Sequence, residues 1–357
     1  MKTVLIGVGQ AGGKVTAALR EFDREMGFDA IRGTLAVNSA QADLKPLSLD
    51  TVLVGQDRVN GHGVGGDNEL GAEVMEADAG EVMAALDGRI TAQAESIFVV
   101  AGLGGGTGSG GAPVLAKELN RVYDVPVYAL GILPGADEGA MYQVNAGRSL
   151  KTLAREADAV LLIDNDAWRS SGESVEEGFQ SINEAIAQRV GLLMASGEAI
   201  EGVGESVVDT SEIINTLRAG GISSLGYASA QAGEDADANV NVVTSITRNA
   251  LLTGASLPNA TAAETGLVVL AGRAENISRK GVERARSWVE EETGSMRVRG
   301  GDLPLDSDRI AALVLLGGIE RSDRVEAFMD RAKEAQEQEE REDPAEMFQN
   351  EELDDLI

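Results

Sequence analysis

Along most of the chain, short apolar runs alternate with longer segments in which apolar residues recur every three to four positions. Residues 2–8 read as a first strand that enters a glycine turn and then a helix through about Met26. Runs at 31–37, 52–54, 97–101, 126–133 and 160–166 predict further strands, and helical periods at 70–86, 114–119 and 174–196 fall between or after them. Strands that alternate with helices predict a mostly parallel sheet covered on both faces. Beyond 196 the order changes to helix 211–217, strand 222–228, helix 239–252, strand 267–271, helix 279–292 and strands 296–299 and 310–317, with turns at Gly220, Gly221 and 231–239. The expected organisation is a parallel-sheet α/β domain over residues 1–172, a long central helix at 173–197, a smaller α+β domain at 198–320 and an acidic tail at 321–357. From Lys333 the tail is charge-rich and reads as a helix fraying into disorder. Leu353, Leu356 and Ile357 at its end fit either a short motif for a partner adaptor or a solvated tail.

Composition narrows the chemistry. The 357 residues suffice for about two domains, and cysteine is absent, which removes disulfides, thiolate metal sites and cysteine nucleophiles. A single histidine, His62, excludes histidine-based zinc sites. The net charge of −29 argues against a nucleic-acid partner, and acids spread over the whole chain point to a cytoplasm of high salt that screens them. No run is long and apolar enough to span a bilayer, and the first residues form a strand rather than a signal peptide, so a cytoplasmic location is expected.

The chemistry concentrates where strands end. The strand at 97–101 runs into a loop nearly free of Cβ atoms, and a helical segment follows Ser109. Gly104, Gly105, Gly106 and Gly108 let successive N–H groups converge on an anion, and Thr107 and Ser109 add hydroxyls. A flexible linker fits less well between a β-branched strand and an amphipathic helix. The loop lacks the Gly-Lys-Ser/Thr ending of a Walker A motif and is not Gly-x-Gly-x-x-Gly. A second glycine turn, carrying Gly9, Gln10, Ala11, Gly12 and Lys14, lies where α/β folds bind diphosphate. Asn38 and Ala40 sit in a polar turn after the second strand, and Gly65, Gly66, Asp67 and Asn68 precede the helix at 70, where Asp67 fits an N-cap equally well. Phe179 and Asn183, at i and i+4, fit a ring that stacks on a purine beside an amide that pairs with its edge, or a core phenylalanine beside a solvated amide. Asp209 and Glu212 form a capping box at a helix start.

Gly-Gly-Gly-Thr-Gly-Ser-Gly resembles the signature motif of the tubulin/FtsZ superfamily, and the other loops follow in that family's order. The resemblance covers residues 1 to about 320 and is closest to the CetZ group of halophilic archaea, on Gly-Val-Gly-Gln-Ala-Gly-Gly-Lys, Gly-Asp-Asn-Glu-Leu-Gly-Ala-Glu and Val-Val-Asp-Thr-Ser-Glu-Ile-Ile-Asn-Thr-Leu. It implies a tubulin/FtsZ-like fold with a Rossmann-like GTPase domain, GTP or GDP as ligand, and Mg²⁺ held mainly by phosphates and water, near Gln10, with no metal cage of its own. Lys14 stands where relatives usually carry Asn, and Tyr142 replaces an FtsZ arginine. The resemblance further implies that Pro134 and Glu138 belong to the ribose loop and Asn165 bonds the guanine base. It gives Asp209 and Glu212 to the loop that enters the next subunit's site and orients the attacking water, so that hydrolysis reports head-to-tail self-assembly. A role in cell shape and motility follows from the same likeness. The alternative is a GTP-binding scaffold that co-assembles with a paralogous subunit and hydrolyses little. A dinucleotide oxidoreductase would need an acid after the second strand, where Asn38-Ser-Ala-Gln41 stands.

Overall fold

The structure, a computed structural model, describes residues 1–167, 175–197, 207–233 and 235–341; the side chains of 175–177, 179 and 338–341 fall outside the description, as do Leu353, Leu356 and Ile357. The first half runs β1 (Thr3–Val8), α1 (Gly9–Met26), β2 (Ile31–Asn38), α2 (Gln41–Leu44), β3 (Thr51–Leu53), α3 (Gln56–Val59), α4 (Asn68–Leu86), β4 (Ser96–Gly102), α5 (Gly106–Val122), β5 (Val127–Leu133), α6 (Ala140–Glu156) and β6 (Ala159–Asp164). The long helix α7 (Val175–Ser196) and then α8 (Thr210–Leu217) lead into β7 (Ile222–Gln231), α9 (Asn239–Leu252), β8 (Ala263–Gly272), α10 (Arg279–Thr293), β9 (Val298–Pro304), β10 (Arg309–Ile319) and α11 (Asp323–Arg341).

Among the described residues the strands form one sheet in the order β3-β2-β1-β4-β5-β6-β7-β10-β8-β9. The first six are parallel and β6 pairs with β7 in parallel through Val160 and Leu161, so one sheet continues from the first half into the second. Beyond β7 the sheet is mixed, with β10 antiparallel to both neighbours. The side chains of β4 from Ser96 to Ala101 are buried on both faces, as a strand covered by two helical layers requires. One face packs under α4, α5, α6 and α11, the other under α1, α7 and α8.

Several boundaries differ from the sequence reading for steric reasons. The helix expected to open at Ser109 begins at Gly106, so Gly106 to Gly111 are helical. Six residues that include four glycines are a poor helix start by propensity. Packing overrides it: a Cβ on Gly110 would lie 2.1 Å from the Asn68 carbonyl oxygen of α4, a separation that only glycine permits. The glycines therefore serve helix contact as well as the loop. β6 stops at Asp164, and residues 165–167 form a 3₁₀ turn where the sequence continued the strand. The strand expected at 296–299 begins at Val298, which leaves Met296 95% exposed. α11, in the segment read as tail, buries Phe328 in the core of the first half and sets Ala332 close to Gly147 of α6; Ala335 is buried as well.

Candidate functional site

Val8, Asn38, Gly102, Leu133 and Asp164 end β1, β2, β4, β5 and β6 at one edge of the sheet. β1 and β4 are neighbours from which the chain builds outward in opposite directions, and open α/β sheets form their ligand crevice at such a switch point. A cleft of about 420 Å³ lies there.

Two helix starts make its floor. α1 begins behind Val8 and α5 behind Gly105; neither cap residue makes a side-chain hydrogen bond to the helix, and neither first turn holds an acid. Their leading N–H groups are left to a ligand, together with the partial positive charge of two helix ends, an arrangement suited to phosphate. α4 is different. Asp67 caps it, its carboxylate accepting from Leu70 N at 3.0 Å. Lys14 is the only lysine or arginine among the described lining residues.

Polar ties hold the loops around these helix starts. Ser39 and Thr107 share a buried hydroxyl–hydroxyl bond of 2.7 Å, which joins the loop after β2 to the start of α5. The buried Asn145 of α6 donates through Nδ2 to Gly66 O at 2.7 Å and to Gly104 O at 3.0 Å, fixing two glycine loops against each other. Gln10 Nε2 and Asn38 Nδ2 both donate to the Asp43 carboxylate, at 3.0 and 3.1 Å. At the far end Glu138 accepts from Gly135 N at 2.7 Å and closes its own loop. Asn165 is 8% exposed, and among the described residues its buried Oδ1 has no hydrogen-bond donor. A buried acceptor left without a donor is costly, and one on a cleft wall marks where a ligand N–H fits.

Of the residues expected at a nucleotide, the cleft gathers Gly9, Gln10, Ala11, Lys14, Asn38, Ala40, Gly65, Gly66, Gly104, Gly105, Gly106, Thr107, Gly108, Pro134, Glu138, Asn165 and Asn183. Gly12, Asp67, Asn68 and Ser109 are not among the lining residues. A Cβ on Gly12 would lie 2.1 Å from Val100 O of β4, and Asn68 Nδ2 donates to Ser109 Oγ at 2.8 Å, a tie between α4 and α5. The side chain of Phe179 lies outside the described ones. Asp43 and Asn145 were missed as site residues. Asn145 lies in α6, where Gln143 and Ser149 are also buried, and its role depends on carbonyl partners remote in sequence.

Asp209 and Glu212 do not reach this cleft. They form the complete capping box of α8, with Glu212 N donating to Asp209 Oδ1 at 3.1 Å and Asp209 N to Glu212 Oε2 at 3.3 Å. The next residue, Thr210, donates to Glu95 at 3.1 Å, and Glu95 precedes β4 and accepts from Lys2 N at 2.7 Å. The acids therefore sit by the edge where β1 and β4 begin, while the cleft lies where those strands end. The seven residues of β4 separate the two by roughly 20 Å. The two carboxyls also differ in character. A hydrogen bond from Ser211 leads the effects that hold Asp209 below the usual carboxylate range. Burial, more than any neighbour, raises Glu212 above it.

A family model of the tubulin/FtsZ GTPase domain matches residues 2–173, and one of the tubulin-like CetZ C-terminal domain matches 172–334. Fold and site together define a protein of the tubulin/FtsZ class. The sequence is 71% identical over 360 residues to tubulin-like protein CetZ2 of Haloferax volcanii, covering 100% of both chains, and 50% identical to CetZ1 of the same organism, over 94% of this chain and 93% of that one. The chain belongs to the CetZ family of tubulin-like proteins. A GTPγS-bound protofilament structure of H. volcanii CetZ2 superposes with a TM-score of 0.92 at 70% identity, over 95% of this chain and 100% of that one. The FtsZ dimer of M. jannaschii, 22% identical with a TM-score of 0.73 over 89% of this chain and 88% of the other, shares the fold.

Proposed function

We propose that this chain is a GTPase that polymerises head to tail, binding GTP in the cleft and hydrolysing it only when Asp209 and Glu212 of the next subunit close over the phosphates. The carrying observation is the separation of roughly 20 Å between the cleft and these acids along one strand direction. Subunits stacked along that direction bring the acid-bearing edge of one against the cleft edge of the next, a heterologous contact that propagates as a filament. The GTPγS-bound protofilament of the 70% identical CetZ2 supports both ligand and assembly mode.

Within the cleft, the N–H groups that open α1 and α5 hold the phosphates, with Thr107 and Lys14 beside them. Asn165 Oδ1 accepts from the adjacent N–H donors on the guanine edge, which removes its unpaired state. Among the described residues no cluster of three carboxylates or histidines forms a metal cage, so a magnesium ion would be held by phosphate oxygens and water, with Asp43, Asn38 and Gln10 as its polar surroundings. Such an ion supplies charge neutralisation to phosphoryl transfer. Glu212, with its raised proton affinity, takes the base-like part toward water, and Asp209 stays ionised beside it. The filament's cellular role is that of a cytoskeletal element acting on cell shape.

Right-angle light scattering in molar KCl with Mg²⁺ checks the assembly step. GTP raises the scattering and GDP leaves it at baseline; equal signals with both would refute nucleotide-driven assembly.

A further inference from the structure

The turn that carries Asn165 is held from a distant part of the chain. Asp164 ends β6 with a side chain that is 2% exposed, and Asp166 follows Asn165 in the 3₁₀ turn. Both carboxylates converge on one guanidinium, that of Arg324 in the first turn of α11. Arg324 Nε donates to Asp164, and its NH2 group donates to Asp164 Oδ1 at 3.0 Å and Asp166 Oδ2 at 2.7 Å. Asp166 Oδ2 also accepts from Ala136 N at 2.8 Å, in the loop between Pro134 and Glu138. Asp164 Oδ1 accepts from Asp166 N at 3.2 Å, across the Asn165 turn.

Arg324 breaks a local rule. A cation in the first turn of a helix opposes the helix dipole, and such conflicts persist where another requirement outweighs them. Without the guanidinium, two carboxylates two residues apart would flank Asn165, one of them buried, and their repulsion would open the turn. Arginine is suited to span both because its donors form a fixed fork, which lysine lacks.

We propose that Arg324 is a positioning residue for base recognition: by clasping Asp164 and Asp166 it fixes Asn165 and, through Asp166 and Ala136, the ribose loop, so that a side chain of α11 sets the preference for guanine. The inference rests on Asn165 reading the base, as argued above. Guanine selectivity is thereby tied to the Arg324 fork, some 160 residues further along the chain than the turn it holds.

The test is the ratio of GTP to ATP affinity, measured by competition against a fluorescent guanine nucleotide below the melting transition. A site built to hydrogen-bond one edge rejects an analogue strongly, so loosening it erodes that discrimination. Arg324→Ala lowers the ratio about tenfold or more, chiefly by weakening GTP, while competition by inorganic triphosphate is unchanged. Phe328→Ala, which removes core packing one turn further along the same helix but keeps the guanidinium fork, lowers the melting temperature and leaves the ratio alone. Should Arg324→Ala not fold, Arg324→Lys keeps the charge without the fork and lowers the ratio severalfold. A wild-type ratio in a folded Arg324 variant overturns the proposal. A wild-type protein with no preference for GTP instead overturns the assignment of Asn165 to the base.

Discussion

Glu212→Gln is expected to assemble with GTP yet release phosphate about 10²- to 10⁴-fold more slowly than wild type, the range that general acid–base groups contribute. Asp209→Asn behaves likewise. These substitutions separate catalysis from structure. The two acids form a complete capping box on α8, and alanine at either position would remove a cap along with a carboxylate. Asparagine is as good an N-cap as aspartate, and glutamine still offers an acceptor to Asp209 N, so α8 stays formed while the charge is lost. The pH dependence follows from the raised Glu212. Its folded carboxyl takes up a proton at a higher pH than an ordinary glutamate, so turnover that needs it ionised falls as pH is lowered through that raised value, while Asp209 remains charged. Glu212→Gln abolishes this acid limb along with the activity above it. Phosphate release and scattering recorded on the same sample check both effects; variants that hydrolyse at the wild-type rate would remove the acids from the mechanism.

Gly108→Ala produces the second large effect, a loss of nucleotide affinity of about 100-fold or more. Gly108 lines the cleft in the first turn of α5, and a Cβ there would lie 2.6 Å from Gly102 O and 3.2 Å from Val8 O. Both oxygens belong to strand ends in the middle of the sheet and cannot turn aside as a flexible side chain would. α5 must shift instead, and with it the N–H groups proposed to hold the phosphates; losing one or two hydrogen bonds to a charged group, at about 1.5–3 kcal/mol each, is worth about two orders of magnitude in affinity. Overpacking also lowers stability by about 1–3 kcal/mol. Gly80→Ala, on an exposed stretch of α4 with nothing within 4 Å of the added methyl, is the matched control: it raises stability by about 0.5–1 kcal/mol and leaves binding unchanged. Nucleotide titration and thermal melts on the two variants separate the outcomes, and wild-type affinity in Gly108→Ala would mean that the first turn of α5 does not hold the phosphates.

Much of this is legible in the sequence because the parallel half repeats one unit. Each apolar run is a strand covered on both faces, and each following turn arrives at the same edge, so local pattern delivers Gly9, Asn38 and Gly104 to one cleft, whereas Asn165 is expected there from the family resemblance. What stayed hidden depends on partners remote in sequence. That Gly106 to Gly111 are helical follows from the approach of α4, which no local propensity encodes. Gly12 and Ser109 belong to the glycine motifs expected at phosphate, yet Gly12 packs against Val100 O and Ser109 bonds to Asn68. Arg324 looks like one more charge at the head of a charged helix; its two carboxylate partners lie in a different element, across some 160 positions of sequence. Asp209 and Glu212 were readable both as a cap and as catalytic acids, and the geometry accommodates both, since the box is complete and stands at the edge opposite the cleft.

The most direct measurement is the rate of phosphate release per subunit as a function of protein concentration, with scattering followed in parallel at saturating GTP and Mg²⁺ in molar KCl. A site completed by the neighbouring subunit gives a per-subunit rate near zero below the assembly threshold and constant well above it, both signals turning on at the same concentration. A per-subunit rate independent of concentration, persisting below that threshold, would contradict completion of the site by assembly.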